Sequence, residues 1–154
     1  MADRLSLKLQ RERLRTIQSV RFAMQRAAHH SLLRSQRSAH DTDALAANAR
    51  TASQRSAETW QDMLGARHPD PRFVQAMAVE VISKDIEQQC AATEAQAAHD
   101  QLKRDQELWA LARAAETGAV RATQNATRRL SHAREEHGAA LNEDLVLQRR
   151  RWTQ

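Results

Sequence analysis

The protein has 154 residues, with 24 Lys or Arg and 19 Asp or Glu, and its formal net charge is +5. Aromatic residues make up 3% of the chain, with no Tyr and two Phe, which excludes a broad globular core. Alternating β-branched residues do not extend beyond a few positions, so we expect one all-α domain spanning residues 1–154.

The first predicted helix covers residues 2–64 and begins with a basic stretch. Residues 1–37 hold nine Lys or Arg but only two Asp or Glu. Apolar residues then recur at steps of three and four, which predicts one helical stripe through Leu14, Ile17, Val20, Met24, Ala27, Ala28 and Leu32. From Arg34 to Asp43 this pattern fades. The middle of the arm is therefore expected to be weakly held, either as a solvated helix or as a break with Asp41 or Thr42 capping a new helix.

A turn is predicted over residues 65–70, where the strongest helix breakers of the chain come together. Gly65 follows an apolar pair and suits the left-handed position after a helix end. Asp70 can cap the following helix with its carboxylate, and Pro71 fits its first position. A short turn between two long helical patterns favours an antiparallel hairpin.

The second predicted helix covers residues 71–150, and its densest apolar cluster follows the turn directly. We expect this cluster to face Trp60, Met63 and Leu64 and to anchor the fold. Its members are Phe73, Val74, Met77, Val81, Ile82 and Ile86.

Farther along the second helix a seven-residue repeat predicts a left-handed coiled coil with closely spaced helices. One position of the repeat holds alanine five times, at residues 112, 119, 126, 133 and 140, and then Leu147. The other seam position of the repeat recurs every seven residues from Leu102 and Trp109 through Leu130 to Asp144. Folding the chain at the turn should place Trp109 near His29 and Leu130 near Lys8. The predicted fold is a long two-helix antiparallel coiled-coil hairpin with a basic tail at residues 149–154.

No pattern in the chain indicates catalysis. The seven histidines lack the spacing of metal ligands, and there is no glycine-rich phosphate loop and no strand-turn-helix carrying a nucleophile. Cys90 is the only cysteine, which excludes an internal disulfide and suits a reducing compartment. No apolar stretch approaches the roughly 20 residues that cross a bilayer. We therefore expect a cytoplasmic, non-enzymatic protein without metal, cofactor or small-molecule ligand.

The plan of the chain resembles the FliJ/YscO family of type III secretion and flagellar export proteins. The resemblance rests on the size, the basic segment from Arg4 to Arg15, the single central turn and the two charged coiled-coil arms. It implies a bacterial hairpin similar to the coiled coil of the rotary ATPase γ subunit. Such a hairpin sits inside a hexameric export ATPase at the cytoplasmic face of the apparatus, promotes ring assembly and activity, and links the ATPase to the export gate. Some family members also handle secretion chaperones.

Charge and hairpin geometry, rather than a family motif, select the candidate partner-binding residues. At the terminal end these are Arg4, Lys8, Arg11, Arg15, Arg149, Arg150, Arg151 and Trp152. A second candidate surface, for a gate or chaperone partner, surrounds Arg34, Arg37 and His40. Two alternatives stay open: a homodimeric coiled-coil adaptor, and a basic coiled coil that binds nucleic acid. Nucleic acid is disfavoured because the basic residues do not form the continuous basic region of a zipper protein. A lipid surface is disfavoured because they alternate with the apolar stripe.

Overall fold

A computed structural model describes residues 2–66 and 70–152, and the side chains of residues 5–66 and 70–147. Two helices, α1 (Ala2–Leu64) and α2 (Pro71–Trp152), pack against each other, and the described residues contain no strand. The predicted all-α two-helix hairpin is confirmed. The predicted arm 71–150 ends two residues before α2 does, because the basic tail stays helical as far as Trp152. Neither Gly118 nor Gly138 interrupts α2.

At the turn, the predicted N-cap of α2 is confirmed, whereas the conformation predicted for Gly65 is wrong. The backbone N–H of Arg72 donates to Oδ1 of Asp70 at 2.9 Å, and α2 begins at Pro71, so the predicted N-cap and first position are confirmed. The N–H of Gly65 donates to the carbonyl of Gln61 at 3.1 Å, which is a normal helical bond. Since no described residue has a positive φ, the left-handed conformation expected at Gly65 is wrong. Residues 67–69 of the predicted turn lie outside the described part of the chain.

The chain divides into two compact units, each built from a stretch of α1 and a stretch of α2. We call Ala28–Trp109 the turn unit, and Met1–Ala27 with Ala110–Gln154 the terminal unit.

In the turn unit small residues form the seam between the helices. Leu32, Ser35 and Ala39 of α1 are buried, and α1 stays helical from Arg34 to Asp43. Of the two alternatives, the break capped by Asp41 or Thr42 is therefore wrong, and the helix is the one found. The hydroxyl oxygen of Ser35 lies 3.1 Å from the carbonyls of both Ser31 and Leu32, so its one proton has an acceptor within its own helix as well as Asp105 across the seam.

The predicted anchor next to the turn is not the most buried part of the fold. Phe73, Ile82 and Ile86 are 54%, 61% and 55% exposed, and Leu64 is 49% exposed. The reason is geometric: a pair of helices buries only the two seam positions of each heptad. Val74, Met77 and Val81 follow the seam spacing and are half-buried. Phe73, Ile82 and Ile86 lie on outer faces of the helix.

The predicted facing of the two arms is confirmed in the turn unit. The rings of His29 and Trp109 are 6.1 Å apart, as the hairpin geometry requires. Farther toward the turn, Nε2 of His99 lies 2.9 Å from Oδ1 of Asp43. The pairing of Leu130 with Lys8 stays a prediction.

The terminal unit has a seam of alanine and long polar side chains. On α2, Ala119, Thr123 and Ala126 are buried, and Leu130 is only 1% exposed. Thr123 donates its hydroxyl to the Ala119 carbonyl at 2.9 Å and lies 3.4 Å from the Leu14 carbonyl on α1. On α1 the half-buried residues follow the same heptad spacing, at Leu7, Arg11, Leu14, Gln18 and Gln25.

Four of the seven residues of the predicted α1 stripe are therefore wrong: Ile17, Val20 and Met24 are 48%, 54% and 52% exposed, and Ala27 is exposed as well. The alanines of α2 leave room for long side chains across the seam. Gln18 and Gln25 can lay their alkyl stems there while their polar ends reach solvent. Small residues on one helix thus favour long side chains at the facing positions of the other helix, even when those side chains are polar.

The alanine heptad of α2 is confirmed as far as Ala133, which is half-buried, and wrong beyond it. Ala140 and Leu147 are exposed, and so are the other described side chains from 134 to 147 except Gly138. The pairing of Thr123 with Leu14 explains this limit, because the same register places the start of α1 beside residue 136 of α2. Beyond that residue α2 has no described part of α1 to pack against.

Candidate partner-binding surface

The predicted terminal-end residues are only partly described. Lys8 and Arg15 are exposed, whereas Arg11 is half-buried at a seam position. The Nε atom of Arg11 is buried without a hydrogen-bond partner among the described residues, so its stem belongs to the seam and its outer guanidinium nitrogens remain available. The side chains of the other predicted residues lie outside the described part: Arg4, Arg149, Arg150, Arg151 and Trp152.

Arg15 lies at a groove between the two helices of the terminal unit. The groove has a volume of about 520 Å³, and the arginine facing Arg15 across it is Arg128. Its remaining lining is mostly uncharged and polar: Gln18, Val120, Thr123, Gln124 and Thr127. Two guanidinium groups with neutral hydrogen-bonding neighbours favour an anionic group, such as a carboxylate of a partner protein. Sequence reasoning missed Arg128, although the heptad register around Thr123 could have placed it here.

The helix register concentrates positive charge in the terminal unit. Residues 13–27 contain four arginines and no Asp or Glu, and so do residues 117–134. The contact between Leu14 and Thr123 sets residues 13–20 beside residues 117–124, with Glu12 and Glu116 at the margins of the two stretches. We use the name arginine surface for the arginines of both stretches, which lie on both flanks of the seam: Arg13, Arg15, Arg21, Arg26, Arg121, Arg128, Arg129 and Arg134.

None of these eight arginines takes part in an ion pair within the described side chains. Arg26 instead lies over the ring of Phe22, with 5.8 Å between its guanidinium carbon and the ring centroid. Like charges held this close repel one another and create a strong positive potential. A partner that carries carboxylates or phosphates would relieve that repulsion.

The second predicted surface, around Arg34, Arg37 and His40, lies in the turn unit. Arg34 and Arg37 are both exposed. Arg37 and His40 line a depression of about 360 Å³ together with Leu33, Gln36 and Asp41, whereas Arg34 is not part of its lining. The depression lies along a single helix and mixes both signs of charge, so it offers less to an anionic partner than the arginine surface does.

The turn unit also contains a buried carboxylate, Asp105, which is 5% exposed. The hydroxyl of Ser35 lowers the pKa of Asp105 below its ordinary value of 3.8, although burial acts in the opposite direction. The side chains of Gln101 and Ser31 and the charge of Arg104 add to the lowering. Asp105 is therefore an ionised carboxylate held within the helix seam by hydroxyl and amide groups.

The described residues do not assemble an obvious reaction centre. They include no group of three or more His, Cys, Asp and Glu that could hold a metal ion. Cys90 is exposed. Neither α1 nor α2 has, among its described residues, an apolar window suited to crossing a membrane.

Comparisons with known proteins do not add to this description. No protein-family model matches the chain. Searches of curated proteins and of solved structures find no significant similarity either.

Proposed function

We propose that this chain is a non-enzymatic central-stalk component of a type III secretion export apparatus, of the FliJ/YscO kind. In this role it inserts into a hexameric export ATPase at the cytoplasmic face of the apparatus, stimulates it, and links it to the export gate protein. Secretion chaperones are further partners in this proposal. The observation that carries it is the arginine surface: eight arginines in two stretches of the paired helices, residues 13–27 and 117–134, that contain no Asp or Glu.

The physics of the arginine surface suits a reversible contact with an acidic protein wall. A single exposed ion pair contributes only about 0.2–1 kcal/mol, so no one arginine would dominate the affinity. Eight arginines together attract an acidic partner over several ångströms and accelerate the encounter. Two helices paired through alanine also approach closely, which suits entry into a narrow ring.

An ATPase assay with purified export ATPase from the same host tests the proposal. We expect the wild-type chain to raise the rate of ATP hydrolysis. An Arg15→Glu/Arg128→Glu variant should require about ten-fold more protein for the same stimulation, because it reverses both charges at the groove. The matched control is Arg50→Glu/Arg55→Glu, which makes the same charge change at two exposed arginines of the turn unit.

An Arg149→Ala/Arg150→Ala/Arg151→Ala variant extends the assay to the predicted tail. Two results would overturn the stalk proposal. One is a wild-type chain that leaves the hydrolysis rate unchanged at every ratio tested. The other is equal loss of stimulation in the groove variant and its turn-unit control, because it would show that only net charge matters.

The arginine surface also favours a second candidate function, binding of nucleic acid. Contacts with phosphates weaken steeply with salt, so the affinity for duplex DNA should be measured by fluorescence anisotropy at two salt concentrations. Binding that persists at about 0.2 M salt, together with an unchanged ATPase rate, would support this candidate over the stalk.

A further inference from the structure

The two sides of the seam in the terminal unit are chemically different. In an antiparallel pair of heptad helices, matching flank positions of both helices lie on the same side of the seam. Arg15, Val120 and Thr127 occupy one such flank and line a common groove. Ile17 and Met24 of α1, and Ala115 and Ala122 of α2, occupy the opposite flank by the same heptad spacing.

This opposite flank is apolar and open. Ile17, Val20 and Met24 of α1 are about half exposed, and Leu111 of α2 is 69% exposed. Together with Gly118 these residues define what we call the apolar face. The three large side chains of α1 repeat at steps of three and four, which is helical spacing, and Leu111 is the large side chain that α2 contributes.

Gly118 lies in the middle of the apolar face, inside α2. A Cβ atom built on it would meet nothing within 4 Å, so packing within the hairpin does not require a glycine there. Its neighbours along the face are alanines, at residues 115 and 122. Small residues flanked by large apolar ones form a shallow channel, and a third helix could approach the α2 backbone closely in such a channel.

The charges around the apolar face select the occupant. Arg13, Arg21, Arg121 and Arg129 are exposed around it, whereas Glu116, which follows Ala115 in the sequence, is half-buried. We propose that the apolar face binds an amphipathic helix of a partner protein whose apolar stripe is flanked by Asp or Glu. The apolar stripe would supply the packing, and the flanking carboxylates would pair with the arginines.

A second copy of this chain fits the face less well. A two-fold interface places the same surface patch on both sides. Two copies meeting here would bring arginines against arginines, and like charges across an interface oppose association. The occupant is therefore expected to carry the opposite charge.

The test uses two fluorescent synthetic peptides of about 20 residues, which share a leucine stripe at heptad spacing. One carries Glu beside the stripe, and the other carries Lys at the same positions. We expect the acidic peptide to bind the full chain about ten-fold more tightly than the basic peptide in fluorescence anisotropy. A Val20→Gln/Leu111→Gln variant should weaken that binding by about ten-fold, since it places two amides in the apolar face.

The chain offers two matched controls. Leu141→Gln/Leu145→Gln changes two equally exposed leucines of the same unit outside the face, and should alter the affinity by less than about two-fold. Gly118→Ala should weaken peptide binding by about three-fold, because the added methyl group narrows the channel. Gly138→Ala, where a Cβ also meets nothing within 4 Å, should leave binding unchanged.

Several outcomes would overturn the proposal. Equal binding of both peptides, or loss of binding in the Leu141 and Leu145 control, would show that the face has no selectivity of its own. Sedimentation of the wild-type chain as a dimer that Val20→Gln/Leu111→Gln dissociates would assign the face to a second copy. Duplex DNA could displace the bound acidic peptide equally from wild type and from Val20→Gln/Leu111→Gln. That result would show that the peptide binds through charge alone. These results are separate from the ATPase assay, because the groove of Arg15 and Arg128 lies on the other flank.

Discussion

Replacing Gly118 by alanine should stabilise this protein, because glycine is unfavourable in the interior of a long helix. Alanine is favoured over glycine in a helix interior by about 1 kcal/mol. A Cβ at this position meets no atom within 4 Å, so no clash offsets the gain. The same reasoning applies to Gly138, whose Cβ would also meet open space. Each variant should therefore raise the free energy of unfolding by about 1 kcal/mol.

Urea unfolding followed by circular dichroism at 222 nm measures this change. The midpoint should rise and the slope should stay the same, because the exposed area on unfolding hardly changes. In a thermal scan the shift should be about 2–4 °C for a chain of this size. A Gly118→Ala variant that is less stable than wild type, beside a Gly138→Ala variant that is more stable, would refute the reasoning. It would mean that something packs against Gly118 in the free protein.

Four further predictions concern the caps and the seam. Asp70→Ala should lower the free energy of unfolding by about 0.5–2 kcal/mol in urea, because it removes the bond to the N–H of Arg72. Gly65→Ala should be neutral in the same assay, and a loss above about 1 kcal/mol would indicate a left-handed conformation after all. Leu130→Ala should cost about 2–5 kcal/mol, because Leu130 is 1% exposed. Folding lowers the pKa of Asp105 below 3.8, so the stability that its ionised form contributes is complete above pH 3.8. That contribution disappears as the pH falls through the pKa of Asp105 in the folded protein. Urea midpoints measured at decreasing pH should therefore fall less steeply for Asp105→Asn than for wild type.

The sequence alone was sufficient for the course of the backbone. Glycine and proline act through the backbone itself, so Gly65, Asp70 and Pro71 mark the helix ends whatever surrounds them. The long runs of helix-forming residues on either side predict α1 and α2 to within two residues. The alanine heptad predicts the α2 seam as far as Ala133, because a repeat of seven keeps one edge of a helix facing a partner.

Tertiary structure decided which residues of α1 enter the seam and where the charges collect. Hydrophobicity favoured Ile17, Val20 and Met24, but burial depends on the shape of the facing helix as well as on polarity. The alanines of α2 select the long stems of Gln18 and Gln25, and the larger apolar residues are left outside. Likewise, the sequence places the basic excess in the first arm, whereas pairing of the helices adds four arginines of α2 to the same surface. Such a pairing depends on residues more than 100 positions apart, and no local pattern contains it.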